Sequence, residues 1–569
     1  MSAGERTGGS IPTREVKCDI LVVGGGPAAC FAAIKARETG NDVVLASKSV
    51  AGAGGSATIL NHGALSVLIP GSITTEQALR ETVETNSYHG NQDLFKSTIE
   101  ANWETMREWV KFGGRFLKVN GKYIISHRHD SSTTSTGQIP FIHGVGRQLM
   151  WTLRVQCEKI GVRIFDRVMV NDLLTAHEPG NRRVIGAVGF SIIPGDFYVF
   201  QSKATIIATG RWHIPDSQSH HTADVSGDGV AMAYRAGCEL HDPGTFHAVL
   251  ATIGAGVPHT NGFRLVTESK IYNDLGEDMF SKTRAAIKAG RPQNVSITAA
   301  YDAKEGRSFY LDYTNLSAEQ ISLMYRNEKS QIASWDAVGI NVPGKIPLTL
   351  TLKGSLLGIS VDGRCRATIE GLYAAGEAAE IAASGGACDG VPACAAQGYI
   401  AGIDASKYVE GISHTDPNPE QIEKLRTRLY SPFRLSKGIE PSILRKMFWQ
   451  ICMDYFLIMN EAGLKAAIQN IGMIQSEMLP KMYASDFHNL MVANEVLNIS
   501  DTIVLIPEAV LMSQESDMLC YREDYPQRNT KSTKTLKVRL NDDGHHEIWK
   551  EDTRMPFVRP ETVKPNEMW

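Results

Sequence analysis

An apolar strand, a glycine turn and a helix of small residues follow one another near the start of this 569-residue chain. The segment is Cys18-Asp-Ile-Leu-Val-Val-Gly-Gly-Gly-Pro-Ala-Ala-Cys-Phe-Ala-Ala, and a second apolar strand, Asp42-Val-Val-Leu-Ala, follows it. Gly24 allows the tight turn, and Gly26 lets the backbone approach a pyrophosphate at the positive end of the helix. Because strands and helix stand in the right places on both sides, the pattern predicts a parallel α/β sheet that binds a nucleotide.

The fingerprint departs from the usual dinucleotide-binding pattern at two positions. Ala29 stands where a third glycine is usual, and it still allows close helix–strand packing. The acidic residue that would hold a ribose hydroxyl is absent, because the second strand continues into Ala46-Ser47-Lys48. Ser47 can form one hydrogen bond with ribose, and Lys48 offers a positive charge near the adenosine end. We therefore predict that a dinucleotide is still bound, through a different ribose contact.

Composition narrows the class of protein. With 43% hydrophobic and 21% charged residues, the chain is expected to be a soluble globular protein of roughly two to four domains. A net charge of −4 gives no argument for binding nucleic acid or a membrane surface. The first ten residues lack the apolar core of a secretory signal, and no apolar run approaches the roughly 18 residues of a membrane helix. The nine cysteines form no Cys-x-x-Cys array, so a reduced, cytoplasmic protein without a zinc or iron–sulfur motif is expected.

Two further apolar strands end in small-residue turns far along the chain. One, Ala204-Thr-Ile-Ile-Ala, continues into Thr209-Gly210, and the other, Gly371-Leu-Tyr-Ala-Ala, continues into Gly376-Glu377. Ligands of open parallel sheets lie beyond the carboxyl ends of the strands, so both turns are expected to converge with the first glycine turn. Glu377 would accept hydrogen bonds from ribityl or ribose hydroxyls. Either turn alone is also typical of an ordinary strand end, but the trio indicates a two-lobed FAD domain with another domain inserted.

Three longer segments resemble a known flavoprotein superfamily. Thr222-Ala-Asp-Val-Ser-Gly-Asp-Gly-Val-Ala resembles the Thr-Gly-Asp-Gly segment of the fumarate reductase, succinate dehydrogenase and aspartate oxidase flavoproteins. Glu515-Ser-Asp-Met and the following Tyr521-Arg-Glu-Asp-Tyr-Pro resemble their C-terminal segment, with Asp517-Met518 in place of Arg-Gly. Residues 182–200 are most similar to the α subunit of adenylylsulfate reductase, a member of the same superfamily. The resemblance covers about residues 16–528.

The resemblance implies an α/β fold in which a two-lobed Rossmann-like FAD-binding domain carries an inserted α+β capping domain and is followed by a helical domain. The boundaries that it implies are 16–262 and 350–410 for the FAD-binding domain, 263–349 for the capping domain, 411–515 for the helical domain and 516–569 for a C-terminal extension. Helical apolar spacing from about Pro417 agrees with this order, and alternation over 531–555 is typical of edge strands.

Non-covalent FAD is the cofactor that the resemblance implies. The respiratory members attach their flavin through the histidine of an Arg-Ser-His-Thr segment, where this chain has Gly55-Ser-Ala-Thr. Ala57 thus stands in place of the histidine and has no nucleophile. No metal ligands are predicted. The residues expected to contact FAD are Gly24, Gly26, Pro27, Ala28, Ser47, Lys48, Gly55, Ser56, Ala208, Thr209, Gly210, Asp228, Gly376, Glu377, Gly390 and Val391.

The residues that bind and protonate dicarboxylates in the superfamily are missing from this chain. His247 lies near the place of the histidine of their His-Pro-Thr-Gly segment, but out of register. Their proton-donating arginine aligns with Pro292-Gln293, one step after Arg291, and their substrate-binding histidine aligns with Lys353. Their second carboxylate-binding arginine aligns with Gly385. Since each charge-assisted contact of this kind contributes ~1.5–3 kcal/mol, a substrate other than fumarate or succinate is expected.

Lys353 is the preferred catalytic candidate because it stands in an otherwise apolar run, where a desolvated lysine can act as acid, base or electrostatic clamp. A lysine that reaches solvent from a strand end is the alternative. Arg291 could take the vacated arginine position or be a solvated loop residue. His62 follows the predicted flavin-facing turn, and His247 is a weaker candidate, since an isolated histidine is usually structural. The segment Arg211-Trp212-His213 is a weak candidate too.

The function predicted is that of an FAD-dependent oxidoreductase, which passes two electrons between flavin N5 and an unidentified small molecule other than a dicarboxylate, as the flavoprotein subunit of a redox complex. Three alternatives stay open: an α-type subunit of adenylylsulfate reductase, a fumarate reductase or succinate dehydrogenase-type flavoprotein, and an electron-transfer component without its own substrate. A separate ferredoxin-like iron–sulfur subunit is the partner that the resemblance implies. Nucleic-acid binding and membrane insertion are not predicted, and the expected location is the cytoplasm.

Overall fold

The computed structural model describes residues 11–59, 63–116, 118–123, 125–127, 140–144, 146–178, 181–216, 221–252, 269–289, 294–327, 329–381, 387–516, 520–527 and 533–560. The strands are β1 (Thr13–Val23), β2 (Val43–Ser47), β3 (Gly63–Ser66), β4 (Lys118–Val119), β5 (Lys122–Tyr123), β6 (Ile125–His127), β7 (Pro140–Gly144), β8 (Arg163–Asp166), β9 (Val168–Glu178), β10 (Asn181–Ser191), β11 (Phe197–Ile207), β12 (Leu240–His241), β13 (Phe246–Thr252), β14 (Ile271–Asn273), β15 (Phe309–Asp312), β16 (Lys345–Ser355), β17 (Gly358–Ile359), β18 (Leu372–Ala374), β19 (Lys534–Leu540) and β20 (His546–Asp552).

The helices alternate with these strands in the first half of the chain and dominate its second half. They are α1 (Pro27–Glu38), α2 (Thr75–Thr85), α3 (Gln92–Lys111), α4 (Gly146–Lys159), α5 (Asp228–Arg235), α6 (Met279–Lys288), α7 (Val295–Lys304), α8 (Ala318–Asn327), α9 (Lys329–Ala337), α10 (Gly390–Val409), α11 (Pro419–Leu429), α12 (Pro441–Tyr455), α13 (Glu461–Met473), α14 (Phe487–Ile503) and α15 (Leu505–Met512).

A seven-stranded sheet forms the centre of the molecule. Its order is β8-β2-β1-β11-β10-β9, and β18 pairs with the carboxyl-terminal part of β11. The strands β8, β2, β1, β11 and β18 run parallel, whereas β10 pairs antiparallel with β11 and β9. Ile20 to Val23 on β1 are all buried, as expected for a strand covered on both faces. The predicted α/β fold class is confirmed.

Helices α1 and α10 pack against one another with almost no side chain between their backbones. A Cβ at Gly398 would lie 2.1 Å from the carbonyl oxygen of Ala28, and one at Gly402 would lie 2.5 Å from that of Ala32. Glycine at these two positions, one helical turn apart, therefore allows the close approach. The N-terminal turns of both helices consequently lie near one another.

A second, four-stranded antiparallel sheet has the order β13-β16-β15-β14 and packs with α6 to α9 around its own apolar core. Phe309, Leu311 and Ile346 belong to that core. The sheet includes β13 and all of β16, so its elements extend beyond the predicted capping segment 263–349 at both ends. Because β16 continues to Ser355, it carries Lys353 from this sheet toward the central one.

Residues 411–515 form the expected helices α11 to α15, and α14 and α15 are the most apolar of this group. The stretch Phe487–Met512 is long and apolar enough to cross a membrane, contrary to the expectation from sequence. However, 78% of its most apolar window is buried against the rest of the molecule, as in the core helix of a globular fold. The alternating C-terminal segment forms β19 and β20, which pair antiparallel and extend a small sheet with β12 and β17. All nine cysteines are free and buried.

Candidate functional site

The three predicted turns lie side by side at one edge of the central sheet. Val23, at the end of β1, pairs with Ile207 of β11, and Ile207 pairs in turn with Ala374 of β18. The main chain continues this contact beyond the strands, because Ala208 N donates to Val23 O over 2.8 Å and Ala375 N donates to Ile207 O over 2.9 Å. Since all three strands are parallel, their carboxyl ends meet at the edge where ligands bind.

The first turn forms an open cradle at the N-terminus of α1. Gly24 has a φ of +134°, and a Cβ there would lie 2.2 Å from Ala208 O, so the turn requires glycine. Gly26 precedes the helix and Pro27 begins it, without a side-chain cap or an acidic residue in the first turn. Among the described residues, no atom would lie within 4 Å of a Cβ at Gly26. The free helix N–H groups and the open space fit a pyrophosphate.

The N-terminus of α10 adds a second such cradle. Asp389 precedes the helix without capping it through its side chain, and the first turn, which includes Gly390 and Val391, has no acidic residue. A Cβ at Gly390 would also meet no described atom within 4 Å. Gly376 connects the two cradles, because a Cβ there would lie 3.1 Å from Cβ of Ala28 on α1 and 3.3 Å from Cys394 on α10. Two helix N-termini therefore attract negative charge to one region.

Ser47 and Lys48 end β2, as predicted, but Lys48 is committed to protein partners. Its Nζ donates to Asp228 Oδ2 over 2.7 Å, to Glu495 Oε1 over 2.8 Å and to Ser226 Oγ over 2.6 Å. Burial lowers the pKa of Lys48, but the two carboxylates outweigh it and raise the pKa well above its usual value. The positive charge expected at the adenosine end is therefore neutralised within the protein. Ser47 lies beneath the glycine turn, where a Cβ at Gly25 would be 2.6 Å from its Oγ.

A buried ion pair joins the second and third turns. Arg211, only 1% exposed, donates from Nε over 3.2 Å and from Nη2 over 2.9 Å to Oε1 of Glu377. The side chain of Glu377 is 17% exposed, so part of it stays accessible beyond the strand end. In the same region Thr209 Oγ1 is buried with no hydrogen-bond partner in the described part of the chain. Arg211 thus fixes Oε1 of Glu377 at the third turn.

The end of β16 brings Lys353 to this region. Ser355 N donates to Trp212 O over 3.1 Å, so the strand crosses the segment that follows Gly210. A Cβ at Gly354 would lie 2.4 Å from Trp212 O and 3.2 Å from Cδ of Arg211, which explains the glycine next to the lysine. Lys353 is half-buried. His247 lies opposite Gly354 on β13, at a bulge, and is buried in the same corner.

Two histidines that sequence reasoning undervalued or missed lie beside Lys353. His213 is fully buried, and its ring centroid is 5.1 Å from that of His221. Burial and the neighbouring Arg211 lower the pKa of His213 to about 3. Burial, followed by the charges of His213, Arg211 and Lys353, lowers the pKa of His221 well below its usual value, against a hydrogen-bonding interaction with the backbone of Lys353. Both rings are therefore neutral at physiological pH.

Ser56 contacts one of these two histidines. It begins a short 3₁₀ turn, Ser56–Ile59, and its Oγ lies 2.6 Å from Nδ1 of His221. The loop before it is fixed by a hydrogen bond of 2.9 Å from Gly55 N to Asp224 Oδ2. Ala57, the residue in place of the flavin-linking histidine, follows directly and is buried. The predicted Gly55 and Ser56 are thereby brought to the same site as Lys353.

Two predicted catalytic residues cannot be placed. Arg291 and His62 lie outside the described residues, as do Pro292, Gln293 and Gly385. Asp228, predicted to contact the cofactor, begins α5 and is bound by Lys48 and by Asn498 Nδ2 at 2.9 Å. These contacts of Asp228 connect the end of β2 with α5 and α14.

Comparisons with known proteins identify the family of the chain. A sequence model of the family described as "FAD binding domain" matches residues 19–391. An uncharacterised FAD-dependent oxidoreductase of Methanocaldococcus jannaschii is 26% identical over 539 residues, which cover 90% of this chain and 94% of that protein. One subunit of the CoM/CoB fumarate reductase of Methanothermobacter marburgensis is 24% identical over 536 residues, which cover 90% of this chain and 95% of the relative.

Solved structures show the same fold. The FrdA chain of E. coli quinol fumarate reductase superimposes with a TM-score of 0.82 at 18% identity, covering 97% of this chain and 99% of the other. Adenylylsulfate reductase from Archaeoglobus fulgidus superimposes with a TM-score of 0.79 at 20% identity, covering 98% of each chain. At these sequence identities the comparison shows that the fold is shared.

Proposed function

Since the chain belongs to the FAD-binding-domain family and is an FAD-dependent oxidoreductase, we propose that it holds FAD without a covalent bond. We propose further that its substrate is a small molecule other than a dicarboxylate. FAD, when bound, supplies the two-electron chemistry, while the protein binds the substrate, orients it and exchanges its protons.

The described residues fit the cofactor in this proposal. Gly24 and Gly26 would hold the pyrophosphate at the N-terminus of α1, where an added Cβ would meet the neighbouring strand or fill the open cradle. Glu377, held by Arg211, would accept hydrogen bonds from cofactor hydroxyls. The N-terminus of α10 would attract negative charge that accumulates on the reduced flavin.

Ala57 is the observation that supports non-covalent binding. It lies in the Ser56–Ile59 turn, next to the Ser56–His221 contact, and its methyl group cannot form a bond to the flavin. Acid precipitation of the yellow holoenzyme is expected to release free FAD into the supernatant. Flavin that stays with the precipitated polypeptide would overturn this part of the proposal.

The cations near the site support a substrate other than a dicarboxylate. Arg211 is committed to Glu377, and Lys353 is a half-buried cation carried by β16, so their arrangement differs from a pair of arginines that bind two carboxylates. Dithionite-reduced holoenzyme is therefore expected not to be reoxidised by fumarate under anaerobic conditions. Turnover of fumarate at about 1–10³ per second, the range typical of enzymes, would establish fumarate as the substrate and refute the proposal.

We propose that the chain works in the cytoplasm as the flavoprotein subunit of a redox complex. One relative, from the Methanothermobacter fumarate reductase, is itself named as part of a multi-chain enzyme. The nine cysteines of this chain are buried and dispersed, so an iron–sulfur cluster would have to belong to another polypeptide. Affinity purification from native cells, with analysis of iron and acid-labile sulfide, tests this. A chain that purifies alone and iron-free, yet oxidises its substrate with a soluble quinone or oxygen as the electron acceptor, would contradict it.

A further inference from the structure

One buried side chain on α10 holds both ends of the third turn, Gly376-Glu377. Gln397 is fully buried, and its Oε1 accepts a hydrogen bond from Gly376 N over 2.8 Å. Its Nε2 donates to Glu380 O over 2.7 Å. Between these two points lies Glu377, whose side chain stays partly accessible. The main chain on both sides of Glu377 is therefore attached to α10.

This attachment needs a side chain that has both an acceptor and a donor. The amide of Gln397 supplies a carbonyl oxygen and an N–H group, and each binds one main-chain group of the turn. An apolar residue at this position would remove the amide from a buried N–H and a buried C=O, and unpaired groups of this kind are costly. The turn is then expected to move until these groups find other partners.

Two elements therefore fix Glu377 independently. Arg211, which follows β11, binds the side-chain oxygen Oε1, whereas Gln397 on α10 binds the main chain. The turn also lies against α1 and α10, because a Cβ at Gly376 would be 3.1 Å from Ala28 and 3.3 Å from a cysteine of α10. Gln397 thus determines where Glu377 stands relative to the N-termini of both helices.

On the basis of the proposed function, in which Glu377 accepts hydrogen bonds from cofactor hydroxyls, we propose that Gln397 is a positioning residue for FAD. Because Gln397 is fully buried, it acts without contact with the cofactor. It holds the third turn at the distance from the N-terminus of α10 at which Glu377 and the helix bind the same FAD molecule. Binding groups of this kind must be held within about 0.5 Å of their productive geometry.

The test compares the FAD dissociation constants of reconstituted holoenzymes, measured by the quenching of flavin fluorescence. Gln397→Leu removes both hydrogen bonds of the amide at little change in volume. It should raise the dissociation constant about tenfold or more, since a displaced Glu377 loses its charge-assisted hydrogen bonds to the cofactor. A dissociation constant equal to that of the wild type would overturn the proposal.

Asn273→Leu is the matched control for the loss of a buried amide. Asn273 is also fully buried, and its Oδ1 accepts from Leu275 N over 3.2 Å and from Glu277 N over 3.0 Å. It lies on β14, an outer strand of the four-stranded sheet. This variant should also melt at a lower temperature, but its FAD dissociation constant should stay within about twofold of the wild type, because the site is remote from the third turn.

A second background shows whether the amide acts through Glu377. The double variant Arg211→Met/Glu377→Met replaces the ion pair by apolar side chains and leaves neither charge uncompensated. Adding Gln397→Leu to it should change the FAD dissociation constant by less than about threefold, because the group that Gln397 positions is gone. An equal effect of Gln397→Leu with and without Glu377 would mean that the amide only stabilises the fold.

Gln397→Glu keeps the proposal testable if the leucine variant does not fold. A protonated carboxyl has one acceptor and one donor, as the amide has, and burial raises its pKa. At about pH 5 this variant should bind FAD within about threefold of the wild type, and it should bind more weakly once the carboxyl ionises at higher pH. Binding more than about tenfold weaker than the wild type at the lower pH would contradict the proposal.

The outcomes separate this inference from the proposed function. If Gln397→Leu binds FAD as tightly as the wild type, the inference is wrong while non-covalent FAD binding stands. Flavin that stays with the acid-precipitated polypeptide would instead refute the proposed non-covalent binding. In that case the visible circular dichroism of the attached flavin, which depends on how the protein surrounds the ring, still tests Gln397. It should change in Gln397→Leu and not in Asn273→Leu, and an unchanged signal in both would overturn the inference.

Discussion

Arg211 and Glu377 lie at the ends of two neighbouring parallel strands, β11 and β18, and both contacting N–H groups of Arg211 donate to the same carboxylate oxygen, Oε1. The guanidinium is buried and the carboxylate is partly exposed. The pair therefore fixes one oxygen of Glu377 and leaves the other for an outside partner.

Arg211→Met should destabilise the apoprotein, because it leaves the Glu377 carboxylate in a mostly buried place without its cation. Removing one partner of a buried pair costs on the order of 3–5 kcal/mol of unfolding free energy. Arg211→Met combined with Glu377→Gln should recover much of that loss, since no charge is then left uncompensated. Urea denaturation of the flavin-free proteins measures both. Equal stability of the wild type and Arg211→Met would show that the ion pair contributes nothing to the free energy of unfolding.

Gly24→Val and Gly26→Val should both lose FAD, but for different reasons. At Gly24 the side chain would collide with Ala208 O and adopt an unfavourable φ, so the apoprotein should melt at a lower temperature. At Gly26 the side chain would enter open space and exclude only the pyrophosphate, so the melting temperature of the apoprotein should be nearly unchanged. Flavin content and thermal melting of the two variants test this contrast. Full flavin content in Gly26→Val would mean that the pyrophosphate lies elsewhere.

Lys353→Met should make the reduction potential of the bound flavin more negative. Methionine keeps much of the apolar volume of lysine while it removes the charge, so packing should change little. A cation near the flavin stabilises the reduced, more negative form, and its removal favours the oxidised form. Dye-coupled potentiometry of the holoenzyme measures the effect, with matching melting temperatures as the control. An unshifted potential would place the ammonium away from the flavin.

The contact between His546 and Glu508 should make stability depend on pH. His546 Nε2 lies 2.5 Å from Glu508 Oε2, and this hydrogen bond raises the pKa of His546 above 6.5. The folded state thus binds the proton more tightly than the unfolded state. The stabilisation is fully present below about pH 6.5 and is lost as pH rises through the folded pKa. His546→Gln should flatten the dependence of the melting temperature over this window, whereas His545→Gln, at the exposed neighbour, should leave it intact.

The strand-end residues were predictable from sequence because parallel strands share one functional edge. A buried apolar strand precedes each of Gly24, Thr209 and Glu377. Parallel pairing of β1, β11 and β18 is enough to bring these strand ends together. Lys353 was named for a different reason, because the superfamily resemblance aligns it with a substrate-binding residue, and its catalytic role stays a prediction. The cofactor and the fold class followed from these local patterns.

The residues that the sequence left unidentified depend on long-range contacts. His221 stands in a polar segment with no periodic pattern, and its partner Ser56 is 165 residues away. Arg211 was only a weak candidate in the sequence because its partner Glu377, after β18, is 166 residues away. Lys48 was assigned to the cofactor because its partner Glu495, 447 residues away, cannot be inferred from the β2 sequence.

The contact between Lys48 and Glu495 links the start of the chain to its last long helix, α14. As the chain leaves the ribosome, the glycine turn and β2 emerge first, whereas α10 and Glu495 are made much later. In the nascent chain the buried ammonium of Lys48 would lack one of its two carboxylates, and the second helix cradle would be absent. We therefore expect flavin to bind late, after nearly all of the polypeptide has been synthesised.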